Sequence, residues 1–326
     1  MRLALASLLV ALATPAFGQG FVERPEVQAF IGEVVERHGF VEGELKKVFS
    51  RVQRVEPALQ SIVPVERPSW DDYRAQFVNE KRVNGGLAFW KANRTVLKRA
   101  AQRYGVPAQY IVAIIGVETN YGRNMGRYRV IDALATLAFD YPPRARFFRG
   151  ELEQYLLLAR EAGLDVFALR GSYAGAIGIP QFMPTSLRRY AVDFNGDGRI
   201  DLTGSSADAV GSVANFLKEH GWQPGEAVLY RAKPSPEALA RFVDGSVEPR
   251  HRIADLLASG LELEAAPPVP FPAPDALGVL VALGAEYRVG LQNFYVITRY
   301  NRSALYASAV NDLADALAER APVAGK

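Results

Sequence analysis

Four apolar stripes with helical spacing run into a glycine, and that repeated pattern confines the chain to a mainly helical fold. Val27, Phe30, Ile31, Val34 and Val35 share one helix face, and Gly39 follows them. A second helix is read from Leu87 to Tyr104 with Gly105 just past its end. Glu151 to Ala162 stops at Gly163, and Ala207 to His220 stops at Gly221. Glycine ends helices because it enters the left-handed region without steric cost. A further helix is expected from Pro107 to about Thr119. Beyond residue 222 the texture changes. Residues 223–300 combine short apolar runs, Val228–Tyr230 and Phe294–Thr298, with a proline-rich stretch from Pro267 to Pro274. Helical spacing returns in Leu305, Tyr306, Val310, Leu313 and Leu317. The expected class is mainly α, formally α+β. A helical region over 19–222 leads to a small mixed α/β subdomain over 223–300, and a C-terminal helix over 301–326 packs back on the core.

Composition narrows the chemistry. Of 326 residues, 49% are hydrophobic and 22% charged, which is globular. The net charge is +3 with no polybasic run, so nucleic acid is not an expected partner. Cysteine is absent, which excludes disulfides, thiol nucleophiles, zinc–thiolate sites and a lipid-anchor cysteine. His38, His220 and His251 have no neighbour at metal-ligand spacing. At the N-terminus, Arg2, an apolar run from Leu3 to Ala13 and the small residues Ala16 and Gly18 have the layout of a secretory leader over 1–18. The run is shorter than the roughly 20 residues of a membrane span. A soluble, exported protein without a membrane anchor is expected.

Glu118 is the first candidate for chemistry. It follows Ile114 and Ile115 by four and three residues, so a helix aims it where the isoleucines are aimed. Desolvation there favours the neutral acid, and Tyr121-Gly122 suggests a nearby helix C-terminus, where negative charge is also disfavoured. Both effects prepare a general acid; a structural ion pair is the competing reading. Downstream, Gly171 to Pro184 is rich in small residues but lacks phosphate-loop or Rossmann spacing. Backbone can approach a ligand closely there, with Ser172 and Gln181 supplying hydrogen bonds. No GxSxG elbow is present.

The stretch Asp193 to Asp201 matches the first part of an EF-hand loop. Oxygen donors fall at Asp193, Asn195 and Asp197, with glycine at position 6 and the Arg199 carbonyl at position 7. Position 12 is Gly204, so Asp208 is the nearest replacement for the closing carboxylate. A structural Ca2+ is expected within 193–208.

These pieces together resemble the membrane-bound lytic transglycosylase B family of bacterial cell-wall enzymes. The matching stretches are GVETNYGRNMGRYRVIDALATLAFDYP (116–142), GSYAGAIGIPQFMPTS (171–186), DFNGDGRIDL and LQNFYVITRYNRS (291–303). They occur in the family's order over most of the chain. The resemblance implies a lysozyme-like helical core and a carbon–oxygen lyase. It would cleave the β-1,4 bond between N-acetylmuramic acid and N-acetylglucosamine in peptidoglycan, leaving a 1,6-anhydro end, with no cofactor for the chemistry. By position, Glu118 falls on the family's catalytic acid/base, and Ser172, Gln181, Tyr300, Asn301 and Tyr306 on cleft residues. Tyr73 corresponds to an aromatic cleft residue. Arg144 matches one of two adjacent arginines that contact the substrate; Pro143 stands at the other. The implied partner is the glycan strand, the implied state a monomer in the periplasm, with association into cell-wall synthesis complexes left open.

A single carboxylate suffices for a lytic reaction, because the C6 hydroxyl of the same sugar attacks C1 and no water needs activating. Six arginines between Arg123 and Arg149, against Asp132 and Asp140 alone, suit a substrate carrying carboxylates. Two alternatives stand. A muramidase-type hydrolase needs a second carboxylate about 5–9.5 Å from the first, for which Asp132, Asp140 and Asp165 are candidates. A non-catalytic peptidoglycan-binding protein needs none.

Overall fold

Proline at the first turn and glycine past the last frame the opening helix, α1 (Pro25–His38). Gly39 has φ 64° and its amide donates to the Val35 carbonyl. The computed structural model describes residues 20–63, 68–264 and 271–321. The leader read at 1–18 and part of the proline-rich stretch lie outside the described residues.

Helices α2 (Glu42–Phe49), α3 (Glu56–Ile62) and α4 (Trp70–Phe77) follow α1. The single helix expected from Leu87 to Tyr104 is two, α5 (Glu80–Ala92) and α6 (Arg94–Tyr104). Asn93 makes the break, with φ −112° and ψ 19°. Its side-chain amide donates to the Phe89 carbonyl and its Oδ1 accepts from Ser206. An Asn side chain that competes with the backbone for hydrogen bonds interrupts a helix in this way. Next comes α7 (Ala108–Thr119), in which every residue from Ile111 to Val117 is buried. The expectation of one apolar face is therefore too narrow. This helix is the centre of the core, touched by α5, α6, α11 (Ser206–Glu219) and α15 (Ala304–Arg320).

Two short strands, β1 (Tyr128–Arg129) and β2 (Arg170–Gly171), pair antiparallel, and between them run α8 (Val130–Asp140) and α9 (Ala145–Glu161). The latter starts six residues before the expected Glu151. After α10 (Pro184–Tyr190) and α11, an antiparallel sheet forms in the order β4-β6-β7-β3-β5. Its strands are β3 (Leu229–Lys233), β4 (His251–Arg252), β5 (Glu262–Glu264), β6 (Leu277–Leu283) and β7 (Glu286–Gly290). With α12 (Pro236–Phe242) and α13 (Ile253–Ala258) it closes a small core of its own around Tyr230, Phe242, Ile253, Leu256, Leu280 and Val289. The apolar run Phe294–Thr298, expected within the mixed subdomain, is instead part of α14 (Gln292–Tyr300). Phe294, Val296 and Ile297 join the main core.

Glycines of α5 and α7 together make room for one ring. Asn120, Tyr121 and Gly122 have φ of 51°, 63° and 81°, three left-handed residues in succession. For a tyrosine this is strained and needs outside support. The ring supplies it by filling a slot floored by Gly85, Gly86 and Gly116, while its hydroxyl donates to the Arg82 carbonyl at 2.8 Å. A Cβ on Gly86 would sit 2.5 Å from Leu317 Cδ2 and 2.6 Å from Tyr121 Oη. Gly86→Ala is therefore expected to destabilise the protein by about 1–3 kcal/mol through overpacking, read as a lower urea midpoint at unchanged slope.

Candidate active site

Glu118 occupies the last turn of α7, so its backbone is anchored in the core while its side chain reaches beyond it. Glu118 is partly exposed, yet the surrounding protein desolvates its carboxyl enough to push its pKa up to about 7. The opposing influence is Tyr306, whose hydroxyl donates to Oε1 at 2.6 Å and favours the ionised form. Three phenols gather around this group. Tyr306 at the start of α15 is 2% exposed. Tyr73 on α4 is pushed up to about 12 by burial and then by the Glu118 charge. Burial and the same charge raise Tyr300, at the end of α14, well above its ordinary range. Its hydroxyl donates to the Pro180 carbonyl at 2.5 Å.

The glycine-rich segment is bonded to this region through the carbonyls of Ile179 and Pro180. Ser172 Oγ accepts from the amides of Ala174 and Ala176, at 3.3 and 3.0 Å. A hydroxyl with both lone pairs engaged retains its proton to donate. Gln181, at φ 53°, donates through Nε2 to the carbonyls of Gly178 and Met125. Its Oε1 is left as an acceptor. Thr119 ties this segment to the acid's helix, donating from Oγ1 to the Ile179 carbonyl at 2.8 Å and accepting from the Gly122 amide at 2.9 Å.

Other expected residues are placed differently. Asn301 is exposed just past the end of α14. Arg144 is exposed too, its guanidinium 4.4 Å from the centre of the Phe147 ring. It lines a cavity of about 660 Å3 with Arg146, Phe147, Glu151, Thr185 and Arg189, and none of the three tyrosines around Glu118 reaches that cavity. The candidate second carboxylates are engaged elsewhere. Asp132 is buried, accepting from the Gln53 amide and pairing with Arg129 at 2.6 Å. Asp140 pairs with Arg24 and Arg54, and Asp165 accepts from the Phe167 amide.

In the Asp-rich loop, Gly196 and Gly198 take φ of 81° and 85°, and Asp193 accepts from the amides of Gly196, Asp197 and Gly198. Asp208, expected as the closing carboxylate, also braces the loop from below. It is fully buried, and its carboxylate accepts from the amides of Phe194, Asn195 and Asp201, so both oxygens hold the base of the loop. The remaining donors, Asp193, Asn195, Asp197 and the Arg199 carbonyl, are all oxygen and suit a hard cation. Among the described residues no set of three or more acidic or histidine side chains comes together to hold a metal. A cation here would rest partly on amide and carbonyl oxygens.

A carboxyl group that keeps its proton near neutral pH can protonate a leaving oxygen, and the helical core that carries it beside a small sheet is of the lysozyme-like, glycan-cleaving kind. Residues 22–315 match the Transglycosylase SLT domain, and the chain belongs to that family. It is 42% identical to membrane-bound lytic murein transglycosylase B of Escherichia coli (strain K12), over 92% of this chain and 85% of that protein. The structure of catenated lytic transglycosylase SltB1 from Pseudomonas aeruginosa superposes with a TM-score of 0.85 at 46% identity, covering 92% of this chain and 99% of that one. Escherichia coli lytic transglycosylase Slt35 in complex with calcium gives 0.81 at 42% identity, covering 90% and 93%.

Sequence reasoning missed the support behind the acid. Tyr121 read only as a helix-end marker, and Arg82, which donates to the Gly116 carbonyl at 2.7 Å, went unnoticed. The available signal was the Gly85-Gly86 pair inside a helix. Tyr306→Phe removes the bond that favours ionised Glu118. The alkaline limb of the pH–rate profile for strand cleavage is expected to move above pH 7, with kcat falling about tenfold or more.

Proposed function

We propose that Glu118 works alone, as acid and then base, in a peptidoglycan lytic transglycosylase. The enzyme cleaves the β-1,4 bond between N-acetylmuramic acid and N-acetylglucosamine and leaves a 1,6-anhydro end. The carboxylic acid of Glu118 donates its proton to the glycosidic oxygen as the C1–O bond breaks. The carboxylate so formed takes the proton of the C6 hydroxyl on the same muramic acid, and O6 closes on C1. Glu118 ends as it began, and no water enters. Ser172, with a hydroxyl proton to give, and Gln181, with a free carbonyl, orient the N-acetyl groups. Tyr73, Tyr300, Asn301 and Tyr306 line the strand's path.

The observation that carries this reading is the isolation of Glu118. Its pKa of about 7 comes from burial, with the Tyr306 phenol pulling the other way. Asp132, Asp140 and Asp165, which a hydrolase would draw on, each have structural partners. Arg144, Arg146 and Arg189 around their cavity suit the lactyl and peptide carboxylates of the strand, with Pro143 reducing that contribution. The leader composition and the substrate support a periplasmic protein, acting as a monomer. No described helix is long and apolar enough to cross a membrane. Ca2+ in the Asp193–Arg199 loop has a structural role, which the oxygen donor set and the glycine-permitted turns support.

Mass spectrometry of purified peptidoglycan digests is expected to show anhydro-muropeptides with wild type and a loss of about 10²–10⁴-fold in rate with Glu118→Gln. Reducing ends, heavier by one water, would instead require a second carboxylate. No product from either folded protein would leave a binding protein. EDTA is expected to lower the melting temperature by a few degrees, with calcium restoring it; a melt insensitive to calcium would remove the ion from the loop.

A further inference from the structure

We infer that Arg74, Asp312 and Arg288 form a clamp that positions Tyr73 over Glu118, so that the mixed subdomain shapes the cleft from behind. The inference rests on the reading that Tyr73 lines the strand's path. Helix α4 has eight residues, and Trp70 is its one buried residue. That is short of the roughly 12–15 residues at which helices become marginally stable alone. What holds α4 is therefore what touches it. Trp70 packs in a small cluster with Leu283 of β6 and Ala309 of α15. The Arg288 guanidinium, from β7, lies 4.8 Å from the centre of the Trp70 ring. One turn on, Arg74 Nε donates to Asp312 Oδ2 at 2.7 Å.

Asp312 thus carries two guanidiniums. Arg288 is fully buried and donates to both carboxylate oxygens, at 2.6 and 3.0 Å. Asp312 lies on α15 six residues beyond Tyr306, the phenol bonded to Glu118. One carboxylate therefore joins three elements: α4 with Tyr73, α15 with Tyr306, and β7, the central strand of the mixed subdomain's sheet. Tyr73 lies in α4 between Trp70 and Arg74, which tie the first half of the helix to the subdomain and to α15, while Phe77 packs its far end on the main core. Buried ion pairs of this kind add little stability over apolar packing, and Arg288 Nε has no acceptor among the described residues. Their effect is on geometry. Arg74 is a positioning residue acting through Tyr73.

The test is a double-mutant cycle on soluble peptidoglycan strands with Arg74→Gln, Tyr73→Ala and the pair, alongside Arg74→Lys. Arg74 is partly exposed, and its substitution leaves the Asp312–Arg288 pair in place. Arg74→Gln is expected to raise KM about 5- to 10-fold with kcat changed less than twofold and the melting temperature nearly unchanged. Arg74→Lys should recover most of that loss. In the Tyr73→Ala background the same change should add less than about twofold, because residues that act through one another are not additive. Equal effects of Arg74→Gln in both backgrounds, or none in the first, would overturn the clamp. An unchanged KM in Tyr73→Ala would overturn it too, by taking Tyr73 out of the cleft. Anhydro products from the wild type in the same digests report separately on the reaction.

Discussion

Three left-handed residues in a row end the central helix immediately after its acid, and the ring of Tyr121 makes that ending tenable. Unsupported, such a turn on non-glycine residues would relax, since each costs of order 1–3 kcal/mol. Here the ring is seated on Gly85, Gly86 and Gly116, its hydroxyl is bonded to the Arg82 carbonyl, and Arg82 in turn bonds the Gly116 carbonyl. The helix therefore cannot run on. Glu118 stays in its last turn, inside enough protein to hold a proton near neutrality and outside the core enough to pass it on. A carboxylate one turn deeper would have no substrate, and one a turn further out would be solvated and ionised.

From that helix end a line of hydrogen bonds, through side chains and backbone, leads to the Asp-rich loop. Thr119 bonds the Ile179 carbonyl, the Ile179 amide bonds the Leu202 carbonyl, and Asp208 gathers the amides of Phe194, Asn195 and Asp201. The loop is thus part of the foundation of the glycine-rich segment, whatever fills it. Asp208 shows how a buried carboxylate can serve a loop from below: three amide donors satisfy it, so it needs no counter-ion.

Much of the helical skeleton was legible because apolar spacing and glycine stops report directly on local structure. Gly39 and Gly105 end their helices where the pattern places them. The break at Asn93 was not, since it depends on a bond to Ser206, more than a hundred residues away. Phe294–Thr298 misled for another reason. A short apolar run suits a buried strand or a buried helix equally, and only the packing of Phe294 into the main core decides between them. Glu118 could be picked out as an acid from its helical position. The partner that bonds it, Tyr306, is 188 residues distant and was reached only through resemblance. Arg288 left no trace, because a lone arginine in a strand does not announce that it is fully buried.

The polar groups of the candidate site bear directly on the proposed single-carboxyl reaction. Tyr306 gives its proton to the acid and Tyr300 gives its own to a backbone carbonyl. Ser172 has both lone pairs engaged, and Gln181 has its amide hydrogens engaged. Ser172 is left as a donor toward a ligand and Gln181 as an acceptor. The nearest acids in sequence, Asp132 and Asp140, are neutralised by arginines whose own bonds run into the scaffold. On the proposed reading, the carboxylate formed when Glu118 gives up its proton then serves as the base. The proton it would recover is one the sugar itself carries, so the proposed ring closure asks for no second carboxylate.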